Sequence, residues 1–275
     1  MTVVVPTRDR PDALGSCLDA LDAQTATSFE IVVVDDASRD PAAVAAVVAR
    51  HARARTLVGA GDGPAAARNL GARHARASRI CFTDDDCRPA PGWLDALAAR
   101  FDRGADVVAG PTVAGAGGAV VAAAQTITNH LTDSSRTPDG AHVAFAPTSN
   151  LACLADVLAA QPFDERFPLA AGEDRDWCRR LAERGVRIVY AADATVAHHP
   201  ALSIWSFWRQ QVRYGRGAHR FHTSSEADGM APPSFYAALL RRAFAQGVAT
   251  GVLVAVAQVA TAVGFAQDAL TERTG

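Results

Sequence analysis

Residues Arg79–Leu94 read RICFTDDDCRPAPGWL. A short apolar run stops abruptly at three consecutive aspartates, then two prolines and a Trp follow. An apolar run of this length bounded by turn residues is the pattern of a buried strand. Carboxylates side by side repel and raise one another's pKa. Two explanations cover such a cluster. It is a solvated turn ahead of the next helix, or it holds a divalent cation, whose charge removes the repulsion.

The same theme recurs upstream. TVVVP (Thr2–Pro6) is a β-branched run that ends at Pro6 and leads into Thr7, Arg8 and Asp9. EIVVVDDAS (Glu30–Ser38) is a second apolar run followed by acids, RTLVG (Arg55–Gly59) a third short one, and ADVVAG (Ala105–Gly110) a fifth after RICFT. Between them lie helical patterns: Leu14, Cys17, Leu18 and Leu21 after Pro11; Val44, Val47 and Val48 after Pro41; the Ala-rich stretch after Gly61–Gly63; and the stretch from Pro91. Strand and helix alternating through residue 110 or so predict an α/β fold, a mostly parallel sheet with helices on both faces. Ligands of such sheets bind beyond the carboxyl ends of the strands. The residues after each strand are therefore expected on one rim: Thr7, Arg8 and Asp9; Asp35, Asp36 and Ser38; Asp84, Asp85 and Asp86.

From 111 to about 172 the pattern loosens. AGAGGAVVAAAQ and TDSSRTPDGAH read as loops around a short helix. GEDRDWCRRLAERG reads as a helix with Glu173 and Asp174 at its start and Gly185 past its end. VRIVY and ATVAHH read as short strands, SIWSFWRQQVRYGRGAHRF as an aromatic, Arg-rich helix, and EADGMAPPS as a short break.

The 275 residues carry a net charge of −2, so no basic field draws in nucleic acid. All 27 basic residues are Arg. Five scattered Cys without a CxxC read as buried thiols in a reducing compartment. The N-terminus enters a strand at once, with no signal-peptide pattern. The expected location is cytoplasmic. Ala243–Gln267 holds no charge over 25 residues, long enough to span a bilayer, but its Ala, Gly and three Gln make insertion weak. It is expected to contact the inner face of the cell membrane.

GDGPAAARN contains G-x-G-x-x-A (Gly61, Gly63, Ala66), a weak dinucleotide fingerprint that here follows the third strand. The aspartate cluster, GEDRDW, AHHP and the stripe Trp205, Trp208, Tyr214 each have an ordinary structural explanation singly. Their joint order on this fold is more specific. In VVVPTRDRPDAL, EIVVVDDASRD, GPAAARNLGA, CFTDDDCRPAPGWL, TSNLAC with FDERF, GEDRDWCRRLAERG, and ADATVAHHP with RQQVRYGRG, the chain resembles the family 2 glycosyltransferases of GT-A fold, from residue 2 to about 217.

The resemblance implies an inverting, metal-dependent transfer of a sugar from a nucleoside-diphosphate sugar to an acceptor hydroxyl. It implies nucleotide contacts from Pro6, Thr7, Arg8 and Asp35, and Arg68 in the segment closing over the nucleotide. Asp84-Asp85-Asp86 resembles the DxD motif: Asp84 faces ribose or metal, Asp86 ligates Mg²⁺ or Mn²⁺, and Asp85 is open to either register. His198 is the late histidine ligand, with His199 the alternative. Asp174, beside Glu173, is similar to the catalytic base. Gln210-Gln211-Val212-Arg213-Tyr214 resembles QxxRW with Tyr for Trp, and Arg213 or Arg216 is expected at the diphosphate. Residues 1–110 form the donor half, 111–220 the acceptor half and 221–275 a helical tail. The acceptor, lipid-linked or glycan, is open. A nucleotidyltransferase would also use Asp and Mg²⁺, but its Gly-rich loop is absent from PTRDRPD. A non-catalytic nucleotide-sugar-binding homologue is the remaining alternative.

Overall fold

A computed structural model describes residues 1–167, 171–224 and 231–274 of the chain. The N-terminal β-branched run is β1 (Thr2–Thr7), in the interior of an eight-stranded sheet. Val3 and Val5 pack into the apolar layer on one face and Val4 into that on the other. All three are fully buried, as a strand with helices on both faces requires.

β2 (Glu30–Asp35) lies parallel beside β1, and β3 (Ala54–Val58) beside β2. β4 (Arg79–Phe82) pairs parallel with β1 on its other side. The strand does not stop at Pro6 as expected. The Val4 carbonyl accepts from Thr83 N on the β4 side, so Pro6, two residues on, faces the same way. The last β1–β4 pair is Val4–Phe82, so the missing proline N–H costs no ladder bond. Helices α1 (Pro11–Asp22), α2 (Pro41–Val48) and α4 (Trp93–Phe101) cover one face. α3 (Pro64–Arg73), α6 (Ala155–Ala160) and α7 (Glu173–Glu183) cover the other.

The sheet continues through β9 (Leu151–Leu154), β6 (Val107–Ala109), β10 (Ile188–Tyr190) and β8 (His142–Val143), in the order β3-β2-β1-β4-β9-β6-β10-β8. Only β9 and β8 run against the rest. A second, three-stranded sheet joins β5 (Cys87–Pro89), β11 (Val196–His198) and β7 (Thr112–Ala114). The five cysteines are buried and unpaired.

Residues 111–134 are more ordered than their sequence suggests. Where loops around a short helix are expected, β7 is followed by the 17-residue α5 (Gly118–Ser134). The Ala-rich run has the propensity for this. Its N-terminus lies at Gly117–Gly118 without a side-chain cap, so no start signal is present.

The Arg-rich helix α8 (Ile204–Ser224) runs past residue 220, and the expected break at EADGMAPPS lies for Glu226–Met230 outside the described residues. α9 (Pro233–Ala245) and α10 (Val248–Thr274) follow. α10 packs closely on α8. A Cβ at Gly264 would lie 1.9 Å from the Val212 carbonyl oxygen, and one at Gly215 2.0 Å from that of Thr261. Only glycine permits this approach. The opposite side of α10 exposes Val248, Val252, Val256, Val259 and Val263 at helical spacing.

Candidate active site

The carboxyl ends of β1, β2 and β4 meet at the mouth of one cavity, as an open α/β sheet arranges them. At the end of β1, the buried Thr7 hydroxyl donates to Asp85 Oδ2 at 2.8 Å. Pro6, Thr7 and Arg8 line the cavity. At the end of β2 the two acids separate. Asp35 Oδ1 accepts from the Ser38 amide and the side chain lies buried behind the wall. Asp36 lines the cavity, but its two oxygens accept from the amides of Gly61 and Gly63, each at 3.0 Å. Both glycines have positive φ, +87° and +96°. The GDG turn thus wraps its amides around Asp36, and those two donors are spent on the protein's own carboxylate.

The three aspartates after β4 take three different environments. Asp84 accepts from Arg68 Nη2 at 2.8 Å, and Arg68 Nη1 reaches Glu173 Oε1 at 3.1 Å. Arg68 is only 4% exposed. It ties α3 to the end of β4 and the start of α7. Asp85 is fully buried. Burial pushes its carboxyl up to about 7 against the pull of Arg10, whose Nη2 lies 2.8 Å from Oδ1 without hydrogen-bond alignment. Asp86 is opposite in sign. Burial raises it, but the hydrogen bond and charge of His198, with Arg10 Nη1 at 2.9 Å, hold it down at about 2. Arg10 thus braces two of the three acids. It is a residue that no sequence motif singles out.

The second sheet brings His198 to this place. β11 pairs antiparallel with β5 so that His198 sits opposite Cys87, the residue after Asp86. His198 Nε2 lies 3.4 Å from Asp86 Oδ1. Ligand atoms of Asp86, Cys87 and His198 all fall within 4.8 Å of one another. Burial raises the Cys87 thiol far above its ordinary range, so it stays protonated. The carboxylate of Asp86 suits a hard cation and the His198 imidazole is a nitrogen donor beside it, with Asp84, two residues before Asp86, on the same cavity wall. His199 is not one of the cluster.

Gln125 of α5 is a second residue without a sequence signal. Its Nε2 donates to the Thr112 carbonyl at 3.1 Å, an oxygen that can only accept. Its Oε1 therefore faces His198 Nδ1 at 3.2 Å and requires the proton there. Nε2 of His198 is thereby aimed at Asp86. Partners of this kind orient ligating histidines. Gln125→Leu is expected to weaken Mn²⁺ binding by about 10–100-fold, read by calorimetry. Unchanged affinity would show that the ring is held by other contacts.

The fourth wall is α7. Gly172, at φ +96°, starts it, and a Cβ there would sit 3.2 Å from the Gly217 carbonyl oxygen of α8. Glu173 is buried against Arg68, and Asp174 lines the cavity. Burial pushes Asp174 up, the neighbouring Glu173 adds to this, and Arg68 opposes it; the result is about 7. From α8, Gln210, Arg213 and Tyr214 face the same space, and Gln210 Oε1 and Arg213 Nε are buried without partners. Of the residues singled out in the sequence, Pro6, Thr7, Arg8, Arg68, Asp84, Asp86, Glu173, Asp174, His198 and Arg213 share the cavity. Asp35 and Asp85 lie behind its wall.

Comparison with known proteins bears on the fold and the family. The computed fold is similar to a mannosyltransferase from Pyrobaculum calidifontis in complex with GDP-Man and Mn²⁺, at a TM-score of 0.61 and 22% identity, covering 100% of this chain and 78% of that one. It is also similar to S. aureus TarS residues 1–349 in complex with UDP, at a TM-score of 0.56 and 17% identity, covering 100% and 91%. At these identities the likeness concerns the fold, which is GT-A. In sequence the chain is 29% identical over 225 residues to the pre-mycofactocin glycosyltransferase of two Mycobacterium tuberculosis strains, covering 79% of this chain. It spans about half of those relatives, 46% of their length. Residues 80–266 match glycosyl transferase family group 2. Residues 2–148, from β1 through the aspartate cluster, match glycosyl transferase family 2, and the chain belongs to that family.

Proposed function

We propose that the chain transfers a sugar from a nucleoside-diphosphate sugar to an acceptor hydroxyl in one inverting displacement that depends on a divalent cation. The observation that carries this is the convergence of Asp86 and His198 on one cavity with Asp174. The solved relatives named above were observed with GDP-Man and Mn²⁺ and with UDP.

Pro6, Thr7 and Arg8 form the nucleotide end, and Asp35, behind the wall, holds the turn after β2 through the Ser38 amide. Asp84, Asp86 and His198 would hold Mg²⁺ or Mn²⁺, which when bound would supply positive charge to offset that of the departing diphosphate. Arg68 and Arg213 supply fixed positive charge beside it. Asp85, under the floor, keeps the aspartate loop in place through Thr7 and Arg10. Asp174, with Glu173 beside it, takes the acceptor proton as the hydroxyl oxygen bonds to the anomeric carbon and the bond to the diphosphate breaks. The electron pair leaves with the nucleoside diphosphate, and no protein nucleophile is needed.

Titration of UDP, GDP and dTDP into the protein with and without Mn²⁺ tests the reading. One nucleotide is expected to bind tightly only with the metal, and Asp86→Ala is expected to abolish that dependence. Full metal-dependent binding in Asp86→Ala would remove Asp86 from the site. No binding of any nucleotide to the folded protein would favour a non-catalytic homologue.

We also propose that the exposed valine face of α10 lies against the cytoplasmic surface of the membrane. No charged side chain falls between Ala243 and Gln267. The protein is expected to float with neutral phosphatidylcholine vesicles, and Val252→Glu with Val259→Glu to prevent it. Wild-type protein that stays at the bottom of the gradient would exclude the contact.

A further inference from the structure

The cavity does not end at the carboxylates. It extends between α5, α8, α9 and α10, and its volume is about 1190 Å³. A single small-molecule site commonly takes about 300–1,000 Å³, so there is space for more than a donor. The far walls carry Ile127, Leu131, Phe145, Phe235, Leu239 and Phe265.

Three hydroxyls on these walls donate to the backbone. Thr128 Oγ1 donates to Ala124 O at 3.4 Å, and Thr261 Oγ1 to Ala257 O at 3.0 Å. Ser135 Oγ donates to Thr132 O at 2.7 Å and accepts the Phe145 amide at 3.1 Å. Arg175 and Arg179 lie over the Phe221 ring, at 4.5 and 5.9 Å from its centroid. Among the described residues, every carboxylate on the cavity is at the other end: Asp36, Asp84, Asp86, Glu173 and Asp174. The uncharged polar side chains on these helices include Ser134 of α5, Tyr236 of α9 and Gln258 of α10, with Gln210, Gln211 and Tyr214 on α8.

This is poor lining for a glycan. A ring of sugar hydroxyls stripped of water needs a partner for each, and an unpaired one costs about 1–3 kcal/mol. It suits carbon, which gains about 25 cal/mol per Å² removed from water. We propose that this chamber binds the apolar body of the acceptor. The acceptor is then an amphiphile whose hydroxyl meets Asp174 while its carbon-rich part lies between α5, α9 and α10. This rests on the transferase reading above.

The test uses a matched pair of probes, n-octyl β-D-glucoside below its micellar concentration and D-glucose. Binding to the full chain is followed by saturation-transfer NMR, with the nucleotide titration run on the same sample. The octyl glucoside is expected to bind and glucose at the same concentration not to. Leu131→Trp, which fills the chamber, and the smaller change Leu131→Gln are each expected to weaken octyl glucoside binding about tenfold, with nucleotide affinity unchanged. Equal binding of the two probes overturns the proposal. So does octyl glucoside binding that survives both Leu131 variants, or that is lost instead to Val259→Glu on the outer face of α10. Nucleotide binding without alkyl binding overturns the chamber alone. Alkyl binding without nucleotide binding overturns the transferase reading on which it rests.

Discussion

Asp174→Asn is expected to lower the transfer rate on the order of 10²–10⁴-fold, the range for a positioned general base, and to leave metal-dependent nucleotide binding as it was. The amide keeps the size of the side chain and removes its capacity to take a proton. Before α7 the chain turns through Gly172, and Glu173 beside it is held by Arg68, so the variant should fold. The pH profile gives an independent check. A base acts when ionised, and burial with Glu173 pushes Asp174 up to about 7. The kcat/KM for the donor is therefore expected to fall as pH drops below about 7, rather than near the ordinary carboxylate range of about 4. An acid limb near 4, or transfer by Asp174→Asn within tenfold of wild type, would assign proton removal to another group.

Arg68→Met is expected to destabilise the fold by about 3–5 kcal/mol, the usual result of removing one partner from a buried ion pair. Both carboxylates that it holds lose their countercharge, and Glu173 has only 5% of its side chain exposed. Urea unfolding measures the loss. Adding Glu173→Gln to Arg68→Met removes one stranded charge and should recover part of it. Arg68 also pulls Asp174 downward, so the acid limb of the single variant should move to higher pH. A loss below about 1 kcal/mol, the level of an exposed pair, would mean that the buried charges find other partners.

The first half of the chain was legible because β1 and β2 are buried runs rich in β-branched residues and the helices between the strands begin at Pro11, Pro41 and Pro64. The rim followed from the strand ends. Most of the acidic site followed as well, through motifs that resemble those of the family. What escaped reading is of two physical kinds. β5 and β7 have three residues each, too few to show a period, yet they pair with β11, which reads as a short strand, and β5 sets Cys87 opposite His198. Arg10 and Gln125 act through contacts that sequence spacing does not encode. The weak fingerprint at the GDG turn has a partner the sequence does not show: its amides donate to Asp36, at the end of β2.

α8 is gripped on two sides within three residues. Gly215 touches the Thr261 carbonyl region of α10, and Gly217 touches the backbone of Ala171 just ahead of Glu173 and Asp174. Arg213, two residues before Gly215, lines the cavity. α10 is therefore a ruler for α8. A shift of α10 along its axis would be carried through these backbone contacts to α8 and the start of α7, and would change the spacing between Arg213 and Asp174.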